Sequence, residues 1–119
     1  RVDIPSYGAK IVENASRFEA WSDETLVGLV AAYLDDTENG VGHITNVSVV
    51  AAWSGRGIAA TLLQHSIDHA RRTGLQLLNL QVSARNVPAR RLYRAAGFKI
   101  LDPQVPILTM CLELRAQKQ

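Results

Sequence analysis

Apolar and polar positions alternate along the first part of the chain, and the period of that alternation changes once. Over residues 17–22, Phe18 and Ala20 alternate with polar neighbours, the pattern of a half-buried strand. Asp23-Glu24 makes a turn. Residues 25–34 then form a long apolar strand with Val27, Leu29, Ala31 and Tyr33 on one side. The polar run Asp35-Asp36-Thr37-Glu38-Asn39-Gly40 ends in Asn-Gly, a hairpin signal, and residues 41–50 are the returning strand. Ahead of this meander, residues 4–15 read as a short helix, with Ser6 as N-cap and Tyr7, Ile11 and Ala15 on one face.

The period then lengthens. Residues 57–73 read as a helix with Ile58, Leu62, Leu63, Ile67 and Ala70 at helical spacing and Gly74 as C-cap. Residues 75–83 return to alternation, Leu78, Leu80 and Val82 against Asn79, Gln81 and Ser83. Asn86 caps a second helix with Pro88 in its first turn, an inner stripe of Ala89, Leu92, Tyr93 and Ala96, and Gly97 at its end. Residues 98–101 and 105–114 are two more strands. The expected order is αβββαβαββ, an α/β (α+β) domain with a mixed sheet. The crossover from 41–50 through the first long helix to 75–83 should be parallel and right-handed.

Composition narrows the class. The 119 residues are one domain's worth of chain, and 47% hydrophobic with 20% charged residues argues against disorder. A net charge of +2 gives no concentrated basic surplus for nucleic acid, although the pI is 9.0. A single cysteine, Cys111, excludes an intrachain disulfide and a cysteine-rich zinc site. No apolar run approaches the roughly 20 residues of a membrane helix, and residues 1–6 lack the apolar stretch of a leader. The expectation is a single soluble, cytoplasmic domain over residues 1–119, with no nucleic-acid or membrane partner.

The chemistry concentrates where the period changes. Ser54-Gly55-Arg56-Gly57-Ile58-Ala59-Ala60 joins a strand to a helix. Its two glycines permit a tight turn, so backbone N–H groups point outward at the positive end of the helix, a cradle for pyrophosphate. Arg56 adds a mobile charge. An ordinary glycine-rich turn fits the segment equally well. A dinucleotide fingerprint fits worse, because residues 75–82 hold no acidic residue and the preceding strands form a meander. The entering strand changes phase near Asn46: Ile44 is at an even position, Val47 and Val49 at odd ones. A β-bulge there would splay the strand from its neighbour and free backbone groups for an extended ligand. A polar residue near a strand end is the plain alternative.

Taken together, Val47-Ser48-Val49, Gly57 and Ala59 in the glycine loop, and Asn86, Ala89, Tyr93, Gly97 and Phe98 in the later helix resemble the GNAT superfamily of N-acetyltransferases. The match follows the loop pattern Gln/Arg-x-x-Gly-x-Gly/Ala and the helix pattern Asn-x-x-Ala-x-x-x-Tyr-x-x-x-Gly-Phe. The element order agrees over about residues 25–114. The resemblance implies a mixed, mostly antiparallel sheet with a central splayed parallel pair and helices on both faces. It also implies acetyl transfer from acetyl-CoA, as co-substrate, to a primary amine of a small molecule or peptide by direct attack in a ternary complex. Val47, Ser48 and Val49 would pair with the pantetheine arm. Ser54, Gly55, Arg56, Gly57, Ile58 and Ala59 would hold the pyrophosphate. Asn86 would hydrogen-bond the CoA arm, with Ala89 beside it, and Tyr93 would sit against the CoA sulfur, where its hydroxyl can donate to the departing thiolate. Tyr93 also fits a core aromatic with its hydroxyl at the surface.

Two departures stand out. Ser54 occupies the place of the family's Gln or Arg. Gln81 occupies the place, five residues before the motif Asn, where one branch of the family has a Glu that could act as base. These departures support an alternative, a non-catalytic acyl-CoA-binding or interaction domain of the same fold. A nucleotide-binding regulatory module is a further alternative. His43, Asn46 and Gln81 are the candidate contacts for the acceptor. His65 and His69 are four apart, but a solvated helix face suits them better than a metal pair, and no metal is expected. Arg90-Arg91 are surface charges, one of which could reach a CoA phosphate. Trp53 would prop the glycine loop. Only residues 1–16 precede the meander, so the family's usual first strand is expected to be absent, with part of the acceptor-side wall. A homodimer partner is one way of completing that wall.

Overall fold

The computed structural model describes residues 4–114; residues 1–3, part of the stretch read for a leader, and 115–119 lie outside the described residues. The chain forms β1 (Ser6–Val12), β2 (Ala15–Ser22), β3 (Thr25–Tyr33), β4 (Val41–Val49), a 3-10 turn (Ala51–Trp53), α1 (Ile58–Arg72), β5 (Leu77–Ser83), α2 (Val87–Ala95), β6 (Lys99–Asp102) and β7 (Ile107–Glu113). The strands make one seven-stranded sheet in the order β1-β2-β3-β4-β5-β7-β6. Every neighbouring pair is antiparallel except β4 and β5. The polar run before β4 closes as expected: Asp36 accepts from the Asn39 backbone and side chain, and Gly40 turns with φ +73°.

The first element corrects the expectation. Residues 4–15 are not a helix; Ser6–Val12 is an exposed edge strand paired with β2 from Ser6↔Trp21 to Val12↔Ala15. A strand therefore stands ahead of the meander, joined to it by a tight turn in which Glu13 has φ +56°. Tyr7, Ile11 and Ala15 suit a helix, but Tyr7, Ala9 and Ile11 suit a strand equally well. Gly8 and the β-branched pair Ile11-Val12 weaken the helix, and pairing satisfies the outer N–H and C=O groups of β2.

The core lies on one face of the sheet. Cross-strand neighbours Phe18, Val30 and Val47 form one row, and Ala32, Ile44, Leu80 and Met110 another. Helix α1 buries Ile58, Leu62, Leu63, Ser66, Ile67 and Ala70 against this face. The approach is close at Gly28, where a Cβ would lie 2.7 Å from Ile58 Cγ2 and 3.1 Å from Leu62 Cδ1. The end of α2 comes down on the same face: a Cβ on Gly97 would lie 3.1 Å from Leu112, which pairs with Leu78. Both helices thus share one face, which corrects the expectation of helices on both. The cause is handedness. β4→α1→β5 and β5→α2→β6 both step the same way across the sheet, and right-handed crossovers then put both helices on one side. No helix among the described residues is long and apolar enough to cross a membrane.

On the other face Glu19 is only 5% exposed. It accepts from Arg17 Nε at 2.8 Å and Trp21 Nε1 at 3.0 Å, with Lys10 Nζ at 3.6 Å. Burial alone would raise its carboxyl pKa, but the bonds from Arg17 and Trp21 and the Lys10 and Arg17 charges hold it below the usual carboxylate range.

Gly28→Ala should overpack the contact between α1 and β3 and destabilise the fold by about 1–3 kcal/mol, read from urea unfolding. Glu19 stabilises fully above its unfolded pKa, and that contribution disappears as pH falls through the lowered folded value. Glu19→Gln should therefore flatten the acid limb of the stability–pH curve, and an unchanged limb would show that the cluster carries no linkage.

Candidate active site

The parallel pair is short. β4 and β5 pair from Val41↔Leu77 to Ile44↔Leu80 and no further. At that point β4 bulges: Ala32 pairs with Ile44 and Ala31 with Asn46, so Thr45 is the extra residue. Its Oγ1 donates to Ala31 O at 3.3 Å. The bulge lies one residue from the phase change at Asn46. Beyond it β4 stays with β3 (Val47↔Val30, Val49↔Gly28), whereas β5 stays with β7 (Gln81↔Thr109, Ser83↔Ile107). Each strand keeps one neighbour and turns its other edge to the gap. The mouth of the gap holds a cavity of about 510 Å³ lined by His43, Ile44, Thr45, Asn79, Leu80, Gln81 and Thr109. A larger space of about 800 Å³ lies between the end of α1 and the start of β5, where the strands are still paired, away from this chemistry.

The glycine loop sits at the open end of the gap, because β4 and β5 are parallel and the loop follows β4. Gly55 and Gly57 have φ +78° and +80°, a left-handed region that side chains resist. Gly57 is the helix N-cap, with no side-chain cap and no acidic residue in the first turn. Thr61 N bonds Gly57 O at 3.0 Å. The amides of Ile58, Ala59 and Ala60 therefore have no intrahelical partner. Unpaired donors at the positive end of α1 form an anion cradle. The Ser54 hydroxyl donates back to Ala51 O at 2.8 Å, while the Arg56 guanidinium lies 4.4 Å over the Trp53 ring.

Comparison with known proteins decides the family. The Acetyltransferase (GNAT) family model matches residues 4–98. The chain belongs to the GNAT acetyltransferase family. It is 33% identical over 88 residues to an uncharacterized N-acetyltransferase, YsnE, of Bacillus subtilis, a match covering 72% of this chain and 57% of that one. The chain thus spans little more than half of that curated relative. In fold it is similar to a GNAT family acetyltransferase from Elizabethkingia anophelis with acetyl-CoA bound, with TM-score 0.78, 16% identity, and coverage of 94% of this chain and 99% of that one. It is also similar to the ribosomal-protein-S18-alanine N-acetyltransferase of Escherichia coli, with TM-score 0.76, 20% identity, and coverage of 92% and 75%.

The GNAT motif residues of α2 are tightly built. The helix follows β5, so it begins at the same open end as the loop. Asn86 Oδ1 accepts from Ala89 N at 3.2 Å and caps the helix. Its Nδ2 donates to no partner among the described residues. Ala89 packs half-buried against the core. Tyr93 is 7% exposed and meets Phe98 edge-on, with ring centroids 6.1 Å apart. Burial pushes its hydroxyl pKa up, so the group is a neutral donor at pH 7. Arg90 Nη1 donates to Ala84 O at 2.9 Å, which ties that arginine to the strand-to-helix turn.

The acceptor candidates divide. His43 and Gln81 line the gap. Asn46 does not line that cavity; its Oδ1 accepts from the Ser48 hydroxyl at 3.0 Å. Two polar gap residues were missed, Thr45 and Thr109. Thr45 is signalled only through the phase change beside it, and Thr109 becomes visible only once β7 is known to lie beside β5. Asn79, on the polar side of the β5 alternation, lines the gap, and its Oδ1 is buried without a hydrogen-bond partner among the described residues. His65 is exposed and His69 half-buried on α1, and their rings meet Tyr7 and Phe18 edge-on. Among the described residues no three His, Cys, Asp or Glu gather as a metal site. Burial, with Glu113 nearby, raises the Cys111 thiol pKa, as suits a packing residue rather than a nucleophile.

Asn86→Ala should remove the α2 cap and cost about 1 kcal/mol of stability, whereas Asn86→Asp should retain most of it. Thermal unfolding of the two variants checks this.

Proposed function

We propose that the chain is an N-acetyltransferase that moves an acetyl group from acetyl-CoA to a primary amine by direct attack in a ternary complex. One observation carries the reading: the β4–β5 gap opens at the same end of the sheet as the unpaired amides of α1. An extended ligand with amides in its middle and phosphates at one end suits that combination. The free edge at Val47, Ser48 and Val49 pairs with the pantetheine amides. The amides from Gly55 to Ala59 take the pyrophosphate, with Arg56 beside them, and Asn86 Nδ2 donates to the CoA arm.

The chemistry needs little more than placement. The neutral amine nitrogen attacks the thioester carbonyl, the C–S bond breaks, and the nitrogen gives up a proton. The leaving sulfur, whose parent thiol has a pKa of about 8.5, benefits from a donor. Tyr93 supplies it and recovers a proton from solvent. Gln81 cannot act as a base, so the amine proton leaves through His43 or water in the gap. Holding both reactants in one gap supplies most of the acceleration. The acceptor is a small-molecule or peptide amine. Named relatives and fold neighbours span that range, a streptothricin acetyltransferase at 30% identity on one side and the S18-alanine enzyme on the other.

Calorimetry should show saturable acetyl-CoA binding, and no binding at millimolar ligand would sink the reading. In a thiol-release assay over amino sugars, amino acids, polyamines and peptides, Tyr93→Phe should lower kcat at least about tenfold while CoA affinity holds. An unaltered kcat removes Tyr93 from the chemistry.

A further inference from the structure

We infer that Trp53 is a positioning residue for ligand phosphate, acting through Arg56; the inference rests on the acetyl-CoA reading above. The loop position where the family carries Gln or Arg is Ser54, and its hydroxyl is engaged with Ala51 O. The cation of this loop comes two residues later. Arg56 stands between two left-handed glycines, Gly55 and Gly57. Alone, an exposed arginine on such a loop would sample many rotamers. Here its guanidinium is stacked 4.4 Å over the Trp53 ring.

Trp53 is itself anchored. Its ring is half-buried and packs against the core, and its backbone N–H donates to Val50 O at 2.8 Å within the 3-10 turn. The ring is therefore a fixed platform between the end of β4 and the start of α1.

Stacking uses the face of a guanidinium and leaves its N–H donors in the plane. Those donors match a phosphate's oxygens two at a time. A stacked Arg56 is thus already ordered before ligand arrives, and ordering a flexible side chain beforehand strengthens binding. Arg56 stands among the amides that take the pyrophosphate, so the pyrophosphate is the group it meets.

Calorimetry with CoA and with dephospho-CoA, which lacks the 3′-phosphate, tests this on wild type, Arg56→Ala, Trp53→Leu, Trp53→Phe and the Arg56→Ala/Trp53→Leu double variant. Arg56→Ala and Trp53→Leu should each weaken CoA binding about three- to fivefold, the scale of one exposed cation–π contact. The double variant should be no worse than Arg56→Ala, Trp53→Phe should stay within about twofold of wild type, and the losses should persist with dephospho-CoA. If Trp53 merely held the fold, its loss would add to that of Arg56. Additive losses, or unchanged affinity in Trp53→Leu, overturn the positioning role. A loss confined to CoA overturns the pyrophosphate assignment. No binding by wild type overturns the acetyl-CoA reading together with this one, whereas binding by wild type with an indifferent Trp53 overturns this one alone.

Discussion

A β-sheet is stable because each interior strand satisfies its backbone donors and acceptors on both edges, and here one pair of interior strands stops doing so. β4 and β5 bond over four positions and then separate at the single extra residue Thr45. Unpaired backbone groups are costly when buried, so the gap is sustained by the ladders on either side. β4 is held by β3 along nearly its whole length, and β5 is held by β7 from Leu77 to Ser83. The gap is thus a property of a four-strand meander, β1 to β4, and a separate strand group that share only a short seam.

The position of the seam organises everything near it. Because the paired strands are parallel, their carboxyl ends lie together, and the segments leaving them diverge from one place. One segment is the glycine loop that opens α1. The other is the Asn86-capped turn that opens α2. Neither needs a long connection to reach the gap. The hydrophobic core then falls on the face both helices cover, from Phe18 and Val30 across to Leu80 and Met110. The opposite face carries polar chemistry, the Glu19 cluster on β2 and the Asn79 carboxamide beside the gap.

Legibility in the sequence followed the range of the interactions. The Asn39-Gly40 turn, the Asn86 cap, the two long helices and the glycine loop were readable because each depends on residues within a few positions of one another. The bulge was readable to within one residue, since an inserted residue flips the inward-facing parity of a strand. Residues 4–15 were misread because Tyr7, Ala9 and Ile11 satisfy a period of two and Tyr7, Ile11 and Ala15 a period near four. Only the bare edge of β2 selects between them. The rings that His65 and His69 meet were not legible for a related reason: they come from β1 and β2, far away in the chain.

By itself the sequence determined the local chemistry: a loop with two glycines ahead of an uncapped helix, a phase change in the strand before it, and a helix whose Asn86, Tyr93 and Gly97 spacing carries the family resemblance. Those features are covalent spacings, and they hold whatever the rest of the chain does. The tertiary structure decided which residues share the gap. It joined His43 and Gln81 to Thr45, Asn79 and Thr109 around one cavity that Asn46 does not line, because membership depends on strand register and on which strand lies next to which. It also put both helices on one face, since the handedness of two successive crossovers acts only once the strand order exists.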